Sequence, residues 1–177
     1  GDEAAAMLGS LVASRVDFVP ARLNLGTTLM QQGSLAEAVD VYRELLVREP
    51  RNAEAAYNLG VALKQMDEFA EAETHLRNAA AFDPALPEAP FTLGVLLWQT
   101  GRADEALTLF EQAIARKPDY ARAHYMAATV LKQAGRLQDA IPRLREAIRC
   151  DPLSAAIQSA TSCSVISRCP PLSLSPT

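Results

Sequence analysis

Four prolines, Pro50, Pro84, Pro118 and Pro152, follow one another at steps of 34 residues. Ala38, Ala72, Ala106 and Ala140 keep the same step, as do Gly26, Gly60 and Gly94, with Ala128 in the fourth place. Proline makes up about 5% of average sequence, so three recurrences at a preset spacing have odds of roughly one in ten thousand by chance. Self-similarity at one period of this length marks an array of a single supersecondary unit. Each unit of an array buries its apolar face against its neighbours, and no single central core exists. An architecture of that kind points to binding rather than to chemistry.

Within each period the apolar residues follow helical spacing. Ala56, Tyr57, Leu59, Gly60 and Leu63 form one stripe, and Phe69, Ala72, Leu76, Ala79 and Ala80 form another. Steps of three and four predict two amphipathic helices per unit. The joint between them reads Met66-Asp67-Glu68 in one unit, and Gly33-Ser34, Gly101-Arg102 and Gly135-Arg136 in the others. Glycine at a joint suits a left-handed helix cap. Ser34 with Glu37 predicts a capping box. Proline disfavours helix at the preceding residue, so the second helices should stop near Glu49, Asp83, Lys117 and Asp151. The recurring glycines and alanines should let two antiparallel helices approach closely; a larger side chain would overpack that contact, at about 1–3 kcal/mol. Pro142 falls inside the last second helix, where it removes the backbone bond to Gln138 and predicts a kink or a delayed start. Pro90 falls in a first turn and is tolerated.

Leu59-Gly60, Leu63, Ala72, Leu76, Ala79 and Pro84 resemble the signature of the tetratricopeptide repeat. So do Leu25-Gly26, Leu29, Ala38, Tyr42 and Pro50; Leu93-Gly94, Leu97, Ala106, Phe110, Ala113 and Pro118; and Leu131, Ala140, Leu144, Ala147 and Pro152. Arg22, Ala56, Pro90 and His124 stand where that family usually carries a bulky residue. The resemblance implies an all-α fold, a right-handed α-solenoid or superhelix of antiparallel helix pairs, with full repeats at 19–52, 53–86, 87–120 and 121–154. Residues 1–18 align with the second helix of a truncated preceding repeat, so Ala4, Leu8 and Leu11 should be partly bare and more repeats are expected upstream. Residues 155–177 read as a short helical start over 155–160 followed by a disordered or extended tail, because Pro170, Pro171 and Pro176 exclude a helix. The abrupt loss of register also fits a frameshifted or truncated reading frame.

Charged residues are 21% and the net charge is −4, with no basic stripe for a phosphate backbone, so no nucleic-acid partner is expected. No run of 18 apolar residues occurs, so no membrane span is expected in this stretch. Cys150 reads as a structural thiol; Cys163 and Cys169 lack a zinc spacing and a nearby histidine, so neither a metal nor a disulfide is assigned. Such cysteine usage suits a reducing, cytoplasmic compartment. No glycine-rich phosphate loop and no HExxH motif occur, and no cofactor is assigned. His124 reads as an interhelical packing residue and His75 as a solvated one, neither with a catalytic partner. Glu37, Glu71, Asp104, Glu105 and Asp139 read as favourable charges at helix N-termini. No catalytic residue emerges, and the chain is read as a non-enzyme.

The resemblance further implies that the first helices line a concave face. That maps a partner-binding groove onto Leu23, Asn24 and Thr27; Tyr57, Asn58, Val61 and Lys64; Phe91, Thr92, Val95 and Trp98; and Tyr125, Thr129 and Lys132. Tyr57, Phe91 and Tyr125 recur at the repeat step, either as a row along the groove or as cover for the joint between helices. Trp98 has no aromatic counterpart in the other units. Repeats that grip acidic C-termini need a cationic clamp across three first helices; the two registers here give Leu23, Thr27, Asn58, Glu88 and Thr92, or Tyr57, Val61, Thr92, Arg122 and Met126, and neither supplies it. Asn24 and Asn58 start an asparagine ladder that Thr92 and Met126 break. The leading reading is a scaffold that binds a peptide or helix of a protein partner. The alternative is the substrate-docking arm of a larger enzyme, such as a glycosyltransferase, with its catalytic domain elsewhere. Self-association through bare ends is a third.

Overall fold

The structure is a computed structural model and describes residues 19–152. Eight α-helices and no strand are found among them: α1 Val19–Gln32, α2 Leu35–Arg48, α3 Ala53–Gln65, α4 Phe69–Phe82, α5 Glu88–Gln99, α6 Ala103–Arg116, α7 Ala121–Gln133 and α8 Leu137–Cys150. Ala4, Leu8, Leu11, Cys163, Cys169 and the whole of 155–177 lie outside the described residues. The chain divides into two compact units, one running to Pro118 and the other beginning at Asp119. In the first, α1 packs on α2, α3 on α4 and α5 on α6; α3 also lies against α2 and α5 against α4. In the second, α7 packs on α8.

The joints within all four pairs are built alike. Gly33, Asp67, Gly101 and Gly135 have φ of 83°, 62°, 84° and 75°, the left-handed region. Each donates its N–H three residues back, to Met30, Lys64, Trp98 and Lys132, and the next residue donates five back, to Leu29, Leu63, Leu97 and Leu131, at 2.8–3.0 Å. This is the Schellman arrangement, which satisfies carbonyls that the helix end would otherwise leave bare. Asp67 alone does this without a glycine, and it adds an acidic residue just past the negative end of α3.

The second helices end at Arg48, Phe82, Arg116 and Cys150, with Glu49, Asp83, Lys117 and Asp151 as C-caps directly before the prolines, Asp83 and Lys117 of them extended. The expected capping box at Ser34 does not form. Ser34 has ψ of 60° and makes no side-chain cap bond. At Asn52, with ψ of 105°, the side chain does accept from the Ala55 N–H at 2.9 Å. The Schellman turn ahead of Ser34 leaves its ψ short of the extended value that aims a capping oxygen at the first turn. Pro142 delays nothing: α8 starts at Leu137, and the Ala140 N–H already bonds the Arg136 carbonyl at 3.1 Å.

Each pair of the first unit locks through a large side chain of the second helix set over a glycine of the first. A Cβ added at Gly26 would lie 2.5 Å from the Tyr42 ring; at Gly60, 2.7 Å from Leu76 Cγ; at Gly94, 2.8 Å from the Phe110 ring. At Gly60 and Gly94 the carbonyls of Ala72 and Ala106 are also within 3.2 Å of that Cβ position. Tyr42, Leu76 and Phe110 are wholly buried, and so are Ala38, Ala72 and Ala106. In α7 an alanine, Ala128, takes the glycine's place, and its counterpart Leu144 is 36% exposed.

Two outcomes follow for stability in urea. Gly60→Ala forces a methyl onto Leu76 and the Ala72 carbonyl and should lower unfolding free energy by about 1–3 kcal/mol. Asp67→Gly relieves a left-handed non-glycine residue and should raise it by about 0.5–1 kcal/mol.

Candidate functional site

α3 packs on its own partner α4 and also touches α1 and α5, so the first helices of the first unit form a layer. Ala55, Ala56, Leu59, Gly60, Ala62 and Leu63 of α3 are buried. The opposite side of the helix carries Tyr57, Asn58, Val61 and Lys64, all half-buried. On α5 the same split leaves Thr92, Val95 and Trp98 half-buried, and on α1 it leaves Asn24 and Thr27 exposed. In the second unit, α7 carries Tyr125 and Thr129 half-buried and Lys132 exposed.

Two groove residues expected from sequence belong to the core instead. Leu23 is 8% exposed and Phe91 is 5% exposed. The Phe91 ring leans on Phe110 at 5.8 Å between centroids, with the planes tilted by 49°. Phe110 fills the slot over Gly94 and gives Phe91 an aromatic neighbour, whereas Tyr57 packs against the buried alanines Ala56, Ala79 and Ala89. Tyr57 instead reaches across to α5, where its hydroxyl lies 3.3 Å from Thr92 Oγ1. Thr27 Oγ1 donates to the Leu23 carbonyl at 2.9 Å and lies 3.2 Å from the Tyr42 hydroxyl, which donates in turn to Met30 Sδ at 3.7 Å. Tyr42 therefore passes beside Gly26 and reaches Thr27 and Met30 of α1 while staying wholly buried.

An open cavity of about 440 Å³ adjoins Tyr57 and Asn58 and is also lined by Ala53, Glu54, Asp83, Leu86 and Glu88. Three carboxylates at this rim make it unlike a seat for an acidic peptide. Asp83 itself is held by the Ala85 N–H at 2.9 Å, and the Arg116 guanidinium secures the loop beside it by donating to the Leu86 carbonyl at 2.9 Å. Sequence reasoning missed this rim because its residues come from a helix end, a loop and a helix start rather than from one periodic face. The Tyr57–Thr92 contact had a signal: Thr92 stands one residue beyond the repeat equivalent of Tyr57.

The histidines differ from one another. His124 is 4% exposed, as a packing residue should be. His75 is not the solvated residue expected: its side chain is half-buried and its Nε2 lies 3.6 Å from Glu71 Oε1. Burial holds His75 below the ordinary histidine value, against the raising effect of Glu71. Glu71 is itself held low, first by its hydrogen bond from Arg43 at 2.8 Å across the α2–α4 gap. Arg102 likewise bridges Glu73 of α4 and Glu105 of α6 at 2.7 and 2.6 Å. Such exposed pairs orient neighbouring helices more than they stabilise them. Cys150 is a half-buried free thiol. Among the described residues no group of three or more His, Cys, Asp or Glu is placed to hold a metal ion, and no helix is long and apolar enough to cross a membrane.

Stacked helix pairs that leave one side of their first helices open define a helical-repeat scaffold, a class that works through contacts with other proteins. A family model described as tetratricopeptide repeat matches residues 1–48, 23–87 and 91–155, and a second so described matches 63–112. The chain belongs to the tetratricopeptide repeat family, an all-α solenoid of helix pairs. Solved structures of MamA share the fold. One is 25% identical with a TM-score of 0.76, covering 86% of this chain and 89% of that one. Another is 24% identical with a TM-score of 0.74, covering 99% and 88%. MamA from Desulfovibrio magneticus RS-1 is 18% identical with a TM-score of 0.75, covering 85% of each chain, which speaks to the fold alone. No curated relative matches the sequence.

Tyr42 makes the helix lock sensitive to alkali. Burial pushes its phenol above the ordinary value of 10.0, outweighing the hydrogen bond with Thr27. A raised folded-state value means that the neutral phenol is the form the fold prefers. Its contribution is fully present below pH 10 and is lost as pH rises through the folded value. Urea unfolding at pH 8 and at pH 10.5 should show a loss of stability that is smaller in Tyr42→Phe.

Proposed function

We propose that the chain holds an extended peptide or a helix of a partner protein along the side of α1, α3 and α5 that faces away from their second helices. The observation that carries this reading is the set Tyr57, Asn58, Val61, Thr92, Val95 and Trp98. These side chains stay half-buried on helices whose other sides are sealed. Leu23 and Phe91 drop out of the contact set, because they are spent on the core. Lys64 and Asn24 supply polar rim contacts, and Thr27 is engaged with Tyr42. On α7, Tyr125, Thr129 and Lys132 repeat the pattern for the second unit.

Aromatic side chains held rigidly beside small apolar ones are good anchors, since they lose little rotamer freedom on binding. Trp98 is the largest of these side chains, and no other pair has an aromatic at its position. Half-burial lets its ring cover a partner while its stem stays packed. The backbone of a bound peptide would meet Asn58 and Gln65, whose amides both donate and accept.

The test is a peptide selected from a random display library against the whole chain. Its affinity should fall tenfold or more, about 1.4 kcal/mol, in Trp98→Ala and in Val61→Asp. Val47→Ala, at an 82% exposed site on α2, should leave it unchanged. Circular dichroism should be the same for all three. A selected peptide that ignores Trp98 and Val61 but responds to Val47 would place the site on the second helices and end the reading.

A further inference from the structure

The open cavity at Tyr57 carries charge of one sign. Glu54, Asp83 and Glu88 line it beside Tyr57, Asn58 and Leu86, and among the described residues no lysine or arginine does. Glu54 and Glu88 share one repeat position, where the other two units carry Pro20 and Arg122. On the second helices Glu71, Glu73 and Glu105 are each held by an arginine at 2.6–2.8 Å. Among the described residues Glu54 and Glu88 have no ion-pair partner. The arginines of adjoining elements are engaged: Arg51 lies over the Phe82 ring at 5.7 Å, and Arg116 donates to the Leu86 and Ala80 carbonyls at 2.9 and 3.5 Å. The N-terminal ends of α3 and α5 each present about half a positive charge. Glu54 and Glu88, in those first turns, outweigh it.

The cavity lies on the open side of the first helices. Glu54 and Glu88 both line it, and Tyr57 reaches Thr92 at 3.3 Å, so α3 and α5 lie side by side with their N-terminal ends together. Val61 and Val95 stand seven residues further along, two turns or about 10 Å of helix. A peptide extended along these helices covers that distance in about three residues. Charge complementarity then names the occupant. We propose that the segment held on α3 and α5 carries an arginine, its guanidinium entering this cavity between Glu54 and Glu88 beside the Tyr57 ring, about three residues from an apolar side chain seated at Val61 and Val95; this rests on the peptide-holding reading of those helices. A single metal ion does not fit, since among the described residues no three acids or histidines are placed to share one. A guanidinium spans a wider gap, with five donors in a flat fork. The chain already uses arginine in both ways: Arg102 bridges Glu73 and Glu105 of two helices, and Arg51 stacks on Phe82. A lysine ammonium is a compact point charge and holds its water more strongly.

The probe is the peptide selected from the random library against the whole chain, with its arginine replaced by citrulline, which keeps the shape and loses the charge. Affinity should fall tenfold or more with citrulline, and by as much for the parent peptide in Glu54→Gln with Glu88→Gln. Combining both changes should add less than about twofold, because each removes the same contact. Lysine should bind between arginine and citrulline. Glu37→Gln with Asp104→Asn takes the same charge from the first turns of two second helices and should leave affinity unchanged, with circular dichroism alike in all. The proposal is overturned by a selected peptide without arginine, by citrulline or lysine binding as well as arginine, by full affinity in the Glu54 and Glu88 variant, by additive losses, or by an equal loss in the Glu37 and Asp104 variant. Dependence on Trp98 and Val61 is read separately. Peptides that need both and yet lack an arginine sink only the arginine assignment; peptides indifferent to both sink the underlying reading and this assignment with it.

Discussion

The contact on which the first unit depends is a large side chain lying where a Cβ would be. Tyr42 over Gly26, Leu76 over Gly60 and Phe110 over Gly94 each press a second helix onto a first at a spacing that no other residue allows. Three different side chains fill the same slot, so the slot is defined by the missing Cβ and not by the shape of what enters it. The alanine carbonyls at Ala72 and Ala106 sit within 3.2 Å of the same point, which ties the backbone as well as the side chain to the glycine. Everything outward of this contact follows from it. The approach of the two axes decides which side of the first helix is sealed and which side is left open.

The ends of the helices are handled by two different devices. Within a pair, the left-handed turn with its paired backward hydrogen bonds reverses the chain in two residues and uses no side chain at all. Between pairs, proline stops the second helix and the chain passes through the C-cap before the next helix begins. Here side chains do take part: Asn52 caps α3, Arg51 stacks over Phe82 at 5.7 Å and Arg116 holds the Leu86 carbonyl. The inner joints are therefore interchangeable among units, and the outer joints carry individual chemistry.

This division explains what could be read from the sequence. Glycine and proline impose backbone conformations regardless of neighbours, so the turns at Gly33, Gly101 and Gly135 and the stops before the prolines were legible by spacing alone. Asp67 was legible as a turn only because the period placed it at the same step as the glycines. Side-chain roles were harder. Ser34 has the residue type for a cap but not the ψ, and ψ depends on the turn before it. Phe91 shares its repeat position with Tyr57, yet one is core and the other reaches Thr92, because the neighbour in the slot is Phe110 in one pair and Leu76 in the other. A position in the period fixes the direction of a side chain; the bulk of the residue opposite decides how much of it remains exposed. The large residues of the lock, four places after each recurring alanine, were legible as part of the repeat signature despite their variety, Tyr, Leu and Phe; their seat over the glycine was not.

The same variety separates framework from recognition. At the positions that seal the pairs the units nearly agree: glycine, with Ala128 in the last unit, then alanine, then a large residue, then proline. On the open side of the first helices they do not. Asn24, Asn58, Thr92 and Met126 share one repeat position; Met30, Lys64, Trp98 and Lys132 share another. Agreement inside a chain marks what every unit needs in order to pack. Disagreement at these more exposed positions marks where units differ without losing the shared packing, because the contacts made there, such as Tyr42 with Met30 and Tyr57 with Thr92, belong to single units and not to the repeat. A surface of that kind can acquire an anchor such as Trp98 in one unit while its neighbours keep polar residues. On the proposed reading, partner selection would come from the order of unlike side chains along the first helices, which is why the scaffold is legible from its period and its ligand is not.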